Sequence, residues 1–137
     1  MKRKIAIATV ACVLLGTTSH ARPRHHYDAN GNGTIVTHPA GCAWSAFCGC
    51  GVSVRVFGHP VRDLFLAANW RRFRSAVAAA GMVAWRYGHV FYIEAVNGDG
   101  TVRAYDPNSG GHLTRIHDVS LRGYHVVDPR SGRMAGL

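Results

Sequence analysis

The chain has 137 residues, 47% of them hydrophobic and 17% charged, with 16 Lys and Arg against 7 Asp and Glu for a formal charge of +9. That leaves room for one domain with a core of its own and excludes two full domains or a disordered chain. The positives are scattered over predicted helix, loop and tail rather than grouped on one periodic face, which argues against a nucleic-acid interface.

Lys2, Arg3 and Lys4 precede an apolar run over residues 5–16. A membrane-spanning helix needs about 20 apolar residues, so this run reads as the h-region of a signal peptide. Ser19-His20-Ala21 offers a small-x-small exit, and cleavage after Ala21 leaves residues 22–137 with a charge of +6, all its cations arginine and no transmembrane segment. A lipid-anchored reading through Cys12 is the minor alternative; Thr9 stands where such signals carry Leu.

Residues 22–38 are polar, rich in Gly and Asn, and read as an exposed lead segment. Within them Asp28, Asn30, Asn32 and Gly33 match the first half of a calcium loop, but Pro39 occupies the twelfth position where a bidentate Glu closes the shell, so no metal is expected. The dense apolar pattern starts at Pro39 and defines a domain over residues 39–129. In it Val52, Val54 and Val56 alternate with Ser53, Arg55 and Phe57, a period that favours a strand. Residues 63–73 read as a helix, with Asp63 in its first turn and Arg71 and Arg72 at its end.

Strands follow. Residues 82–85 and 90–96 are short apolar runs, Asn97-Gly98-Asp99-Gly100 marks a tight hairpin, and residues 101–105 return as its partner. A turn is predicted over residues 106–111, then strands over 113–119 and 124–127, and a flexible tail over 130–137. Helices early and antiparallel strands late give the α+β class.

Export places the cysteines in an oxidising compartment. Residues 22–137 hold three of them, Cys42, Cys48 and Cys50, so at least one thiol is left over. Cys48 and Cys50 are separated by one residue and poorly placed to bridge each other, so Cys42 pairs with one of the two. A zinc site is the other use of these thiols, but C-x5-C-x-C lacks the paired C-x2-C knuckles of structural zinc, and no cofactor is expected.

Thiol catalysis needs a thiolate, a base, and a polar group to fix the imidazole. If a helix starts at Phe47-Cys48-Gly49, its dipole favours the Cys48 thiolate. His89 lies at the entrance of a predicted strand behind Gly88, and Asp106 or Asn108 lies where the hairpin returns toward it. Set against this, the chain has nine His, most of which serve ordinary surface roles, and Asp106-Pro107-Asn108-Ser109-Gly110 is ordinary turn chemistry.

Phe47-Cys48-Gly49, Leu66-Ala67-Ala68-Asn69-Trp70, Gly81-Met82-Val83-Ala84-Trp85, Gly88-His89-Val90-Phe91-Tyr92-Ile93-Glu94 and Asn97-Gly98-Asp99-Gly100-Thr101-Val102 together resemble the CHAP and NlpC-type papain-like superfamily. Its members are small bacterial cysteine amidases and endopeptidases acting on peptidoglycan. The resemblance covers about residues 41–129 and implies helices packed on a small antiparallel sheet, with Cys48 opening a helix. It implies Cys48 as nucleophile, His89 as base, and Asp106 or Asn108 as the group that orients the ring. Cys42 is the alternative nucleophile; with Cys48 in that role, Cys42 is left to pair with Cys50. The expected function is an exported, periplasmic or secreted cysteine hydrolase of wall peptides. The alternative is a silent member of the same fold that binds wall fragments, another anionic envelope polymer or a protein, to which thirteen arginines and no lysine are suited.

Overall fold

The structure, a computed structural model, describes residues 33–132. The signal-peptide segment, most of the lead segment and the last five residues lie outside them. Along the chain come β1 (Thr34–Val36), α1 (Cys48–Phe57), two 3-10 helices (Arg62–Leu64 and Ala67–Arg72), β2 (Arg74–Ser75), β3 (Val83–Arg86), β4 (His89–Val96), β5 (Thr101–Ser109), β6 (Leu113–Ser120) and β7 (His125–Asp128). The seven strands form one antiparallel sheet in the order β1-β6-β5-β4-β3-β7-β2. The class is α+β.

Strand alternation divides the core between the two faces of this sheet. On one face Val83, Trp85, Val90 and Val127 pack with Val52 of α1 and with Leu64 and Trp70 of the 3-10 helices. On the other, Met82, Ala84, Phe91, Ile93, Val102 and Ala104 form a second cluster. The hairpin over Asn97 to Gly100 joins β4 to β5, with Val96 opposite Val102. The Asn97 amide nitrogen donates to the Thr101 hydroxyl, and Asp99 accepts from the Thr101 backbone N–H and hydroxyl.

Residues 52–57 are helical, not the strand their alternation suggests. The valines carry a second periodicity: Cys48, Val52 and Val56 stand four residues apart, so one helical stripe faces the first cluster. The two glycines that weaken the helix on propensity are what let it dock. A Cβ on Gly49 collides with the carbonyl oxygens of Leu64 and Phe65, and one on Gly51 collides with Pro107. Packing therefore overrides local preference. The helix ends at Gly58, whose left-handed backbone (φ 81°) turns its N–H back to the Val54 carbonyl at 2.9 Å.

The predicted helix over residues 63–73 is two 3-10 helices broken at Leu66, whose backbone is extended. The carbonyls a continuous helix would use are taken by side chains. The amide of Asn69 donates to Asp63 O at 2.7 Å, and the indole of Trp70 donates to Leu64 O at 3.0 Å. Likewise, the predicted turn over 106–111 begins as strand. β5 runs on to Ser109 with a shift of register against β6 between Asp106 and Ser109, and buried Pro107 sits in that irregular stretch. The described end of the lead segment is not a free arm, because Thr34, Ile35 and Val36 pair with Ile116, Arg115 and Thr114 at the sheet edge.

Candidate active site

A disulfide joins Cys42 to Cys50, and Cys48 is a free thiol. It is the first residue of α1, 6% exposed. Phe47 at the N-cap makes no side-chain hydrogen bond to the first turn, so the opening amides of the helix are left to other acceptors. The disulfide ties Cys50, the third residue of α1, to the loop that leads in, and Gly49 and Gly51 bring the helix start down onto residues 64–65 and 107.

His89 opens β4, where it pairs in register with Arg86 of β3, and Cys48 is near enough to help raise its pKa. Its Nε2 lies 2.7 Å from Oδ1 of Asp106 on the neighbouring strand β5. A carboxylate only accepts, so Nε2 carries the proton and Nδ1 is the ring nitrogen left for sulfur. The three groups form a line from a helix start, through a strand start, to the middle of a buried strand. Asn108 is not part of it. Its backbone is left-handed (φ 62°), and its side-chain oxygen is 3.1 Å from Nδ1 of His112. Of the two candidates for holding His89, Asp106 is the one in contact.

Sequence reasoning missed a fourth member. His117 on β6 places its Nε2 2.8 Å from Oδ2 of Asp106, so each oxygen of the carboxylate takes one imidazole. No local pattern in the sequence marks it; the pairing of β5 with β6 is what brings it to the acid. Asp106 pairs with Arg115 and Ala104 with His117, which puts His117 diagonal to Asp106 on one face.

The electrostatics follow from burial and pairing. Burial disfavours the charged ring of His89, but hydrogen bonding and electrostatic attraction from Asp106, with a further contribution from Cys48, outweigh it and push His89 up to about 9. Burial likewise works against the Asp106 carboxylate, and the hydrogen bonds from His117 and His89 outweigh it, holding Asp106 below the usual carboxylate range. Both groups are therefore charged at neutral pH.

A folded-state pKa above the unfolded one means that protonation of His89 stabilises the fold fully below about pH 6.5, and that this contribution is lost as pH rises through about 9. The loss is at most on the order of 3 kcal/mol, since one unit is worth about 1.4 kcal/mol. Urea unfolding is thus expected to give a lower midpoint at pH 9.5 than at pH 6.5, and His89→Ala is expected to flatten that decline.

Exposed aromatic side chains lie close in sequence to both Cys48 and His89. Trp44, 75% exposed, stacks on His38 at 4.0 Å between ring centres, and His38 meets the edge of Phe47, the residue before Cys48. Tyr87, 77% exposed, lies two residues before His89. Among the described residues no group of three or more His, Cys, Asp and Glu side chains is placed to hold a metal ion, and no helix is long and apolar enough to cross a membrane. Two of the three thiols of the C-x5-C-x-C pattern are consumed by the disulfide.

No family model, no curated protein and no solved structure matches the chain. The candidate site therefore stands on its own geometry: a free thiol at a helix start, an imidazolium against it, and a buried carboxylate behind the ring.

Proposed function

We propose that the protein is an exported cysteine hydrolase of papain-like fold that cleaves amide bonds in cell-wall peptides, with Cys48 as nucleophile, His89 as acid and base, and Asp106 holding the ring. The observation that carries the reading is the bond from Nε2 of His89 to Asp106, which leaves Nδ1 of the ring unused, with the free Cys48 thiol close enough to His89 to help raise its pKa. The Cys42–Cys50 disulfide supports an oxidising compartment, in keeping with the export signal read in residues 1–21. A chain whose cations are all arginine once that signal is removed suits an anionic envelope. For the wall peptide itself, the support is the resemblance of the motifs around Cys48 and His89.

In the first half of the reaction the Cys48 sulfur attacks the amide carbonyl carbon, and the helix-start amides receive the developing oxyanion. The C–N bond breaks as His89 gives its proton to the leaving amine, leaving a thioester on Cys48. In the second half water attacks the thioester, His89 takes the water's proton, and the new carboxyl product leaves the sulfur. Asp106 touches neither substrate nor sulfur, and its part is to keep the ring's tautomer and angle through both halves.

The test is to incubate the protein with purified wall sacculi and measure free amino groups and soluble peptides. Release by the protein with Cys48 free is the expected result. Binding to sacculi without release favours the alternative of a silent binding module.

A further inference from the structure

We propose that His117 is a positioning residue of this site: by donating Nε2–H to Oδ2 of Asp106 it fixes the carboxylate plane, so that Oδ1 holds His89 at the angle that presents Nδ1 to the Cys48 sulfur. The proposal rests on the reading of Cys48 and His89 as a working pair. Its geometry is a carboxylate clamped at both oxygens, at 2.7 Å by β4 and at 2.8 Å by β6, while the strand between them carries the acid. The Asp106 side chain is 7% exposed, and a buried carboxylate with one free oxygen would pay in desolvation for every orientation it tried.

His117 is itself held from behind. Gly33, with a left-handed backbone (φ 80°), lies directly on it, and a Cβ there collides with Cβ of His117 and with the Ile116 carbonyl. The three-residue strand β1 that follows pairs with β6 along Ile116, Arg115 and Thr114. The backbone just before the edge strand thus lies close against His117, and the glycine there is what permits the approach.

Other charged or titratable groups surround the trio. Cys48 comes from α1, Arg86 pairs with His89 across β3, and Arg115 pairs with Asp106 across β6, its guanidinium donating to the Gly110 carbonyl at 2.7 Å. Tyr124 lies beside Phe91 with the Arg86 guanidinium over its ring. None of these takes an oxygen of Asp106.

Two variants separate positioning from filling. His117→Phe keeps the volume and removes the donor, whereas His117→Gln keeps an N–H that reaches a carboxylate. The readouts are the His89 titration midpoint followed by NMR and the rate of Cys48 alkylation by iodoacetamide, neither of which needs a substrate. Failure of the hydrolase reading therefore leaves this test intact. In His117→Phe the midpoint is expected to fall from about 9 toward 6.5 and alkylation at pH 7 to slow several-fold, with both restored in His117→Gln. Unchanged values in a folded His117→Phe overturn the proposal. The unaltered protein gives a second reading should His117→Phe not fold. The neutral forms of His89 and His117 are both expected to show the Nε2–H tautomer in nitrogen-15 spectra, and an Nδ1–H tautomer at His117 overturns the assignment.

Discussion

Cys48→Ser is expected to abolish peptide release while leaving the fold in place. The substitution changes one atom at a buried position, so packing is little disturbed. The chemistry is disturbed greatly, because a serine hydroxyl is a far weaker acid and nucleophile than a cysteine thiol. Removing the nucleophile of a hydrolase leaves only what binding and oxyanion contacts supply, so kcat/KM is expected to drop by at least about 10³-fold. Stopped assays of sacculus digestion, paired with a thermal melt of both proteins, measure the two halves of this expectation together. Residual release near the original rate places the nucleophile elsewhere, and a second variant, Cys42→Ser, then tests the other cysteine aligned with that role.

The second large effect belongs to Asp106. Asp106→Ala strips the partner from two imidazoles at once and removes the charge that contributes most to keeping His89 protonated. Its cost has two parts. Turnover is expected to fall by as much as about 10⁴-fold, the loss seen when a catalytic imidazole loses the acid that sets its tautomer. Stability is expected to fall by roughly 3 kcal/mol, as when one member of a buried charged pair is removed. Asp106→Asn is expected to be milder on both counts. Its carbonyl oxygen can still accept from Nε2 of His89, provided that His117 changes tautomer to accept from the amide nitrogen. Kinetics and urea unfolding of the two variants side by side give the check, and equal losses would mean that charge, not ring orientation, is what Asp106 supplies.

The sheet and the site were not equally legible in the sequence. The hairpin was readable because Asn97-Gly98-Asp99-Gly100 combines turn residues whose local hydrogen bonds close the loop without help from the rest of the chain. Its flanking strands were readable for the same local reason, being short runs rich in β-branched, aromatic and apolar residues bounded by that turn. The helix that carries Cys48 was not, because Gly49 and Gly51 weaken it locally and its valines satisfy two periods at once. What decides between them is a long-range fact, the close approach of the glycines to residues 64–65 and to Pro107.

The same distinction explains Asp106 and His117. The string Asp106-Pro107-Asn108-Ser109-Gly110 has the composition of a turn, and only pairing with β6 shows that its first half is strand. His117 sits in an ordinary alternating strand, and nothing in its neighbours marks it. Its importance comes from lying diagonal to Asp106 across a pairing whose register no local pattern fixes. The edge strand β1 was hidden in a Gly- and Asn-rich segment, where three β-branched or apolar residues, Thr34, Ile35 and Val36, were too short a run to stand out.

Alkylation of the folded protein with iodoacetamide at neutral pH, followed by mass mapping of the labelled peptide, tests whether Cys48 and His89 work as a pair. The account predicts label at Cys48, none at the disulfide-bonded Cys42 and Cys50, and a rate well above that of an ordinary thiol, only a few per cent of which is ionised at pH 7. It further predicts a marked slowing in His89→Ala. A Cys48 that reacts no faster than an ordinary thiol, or at the same rate with and without His89, would contradict it.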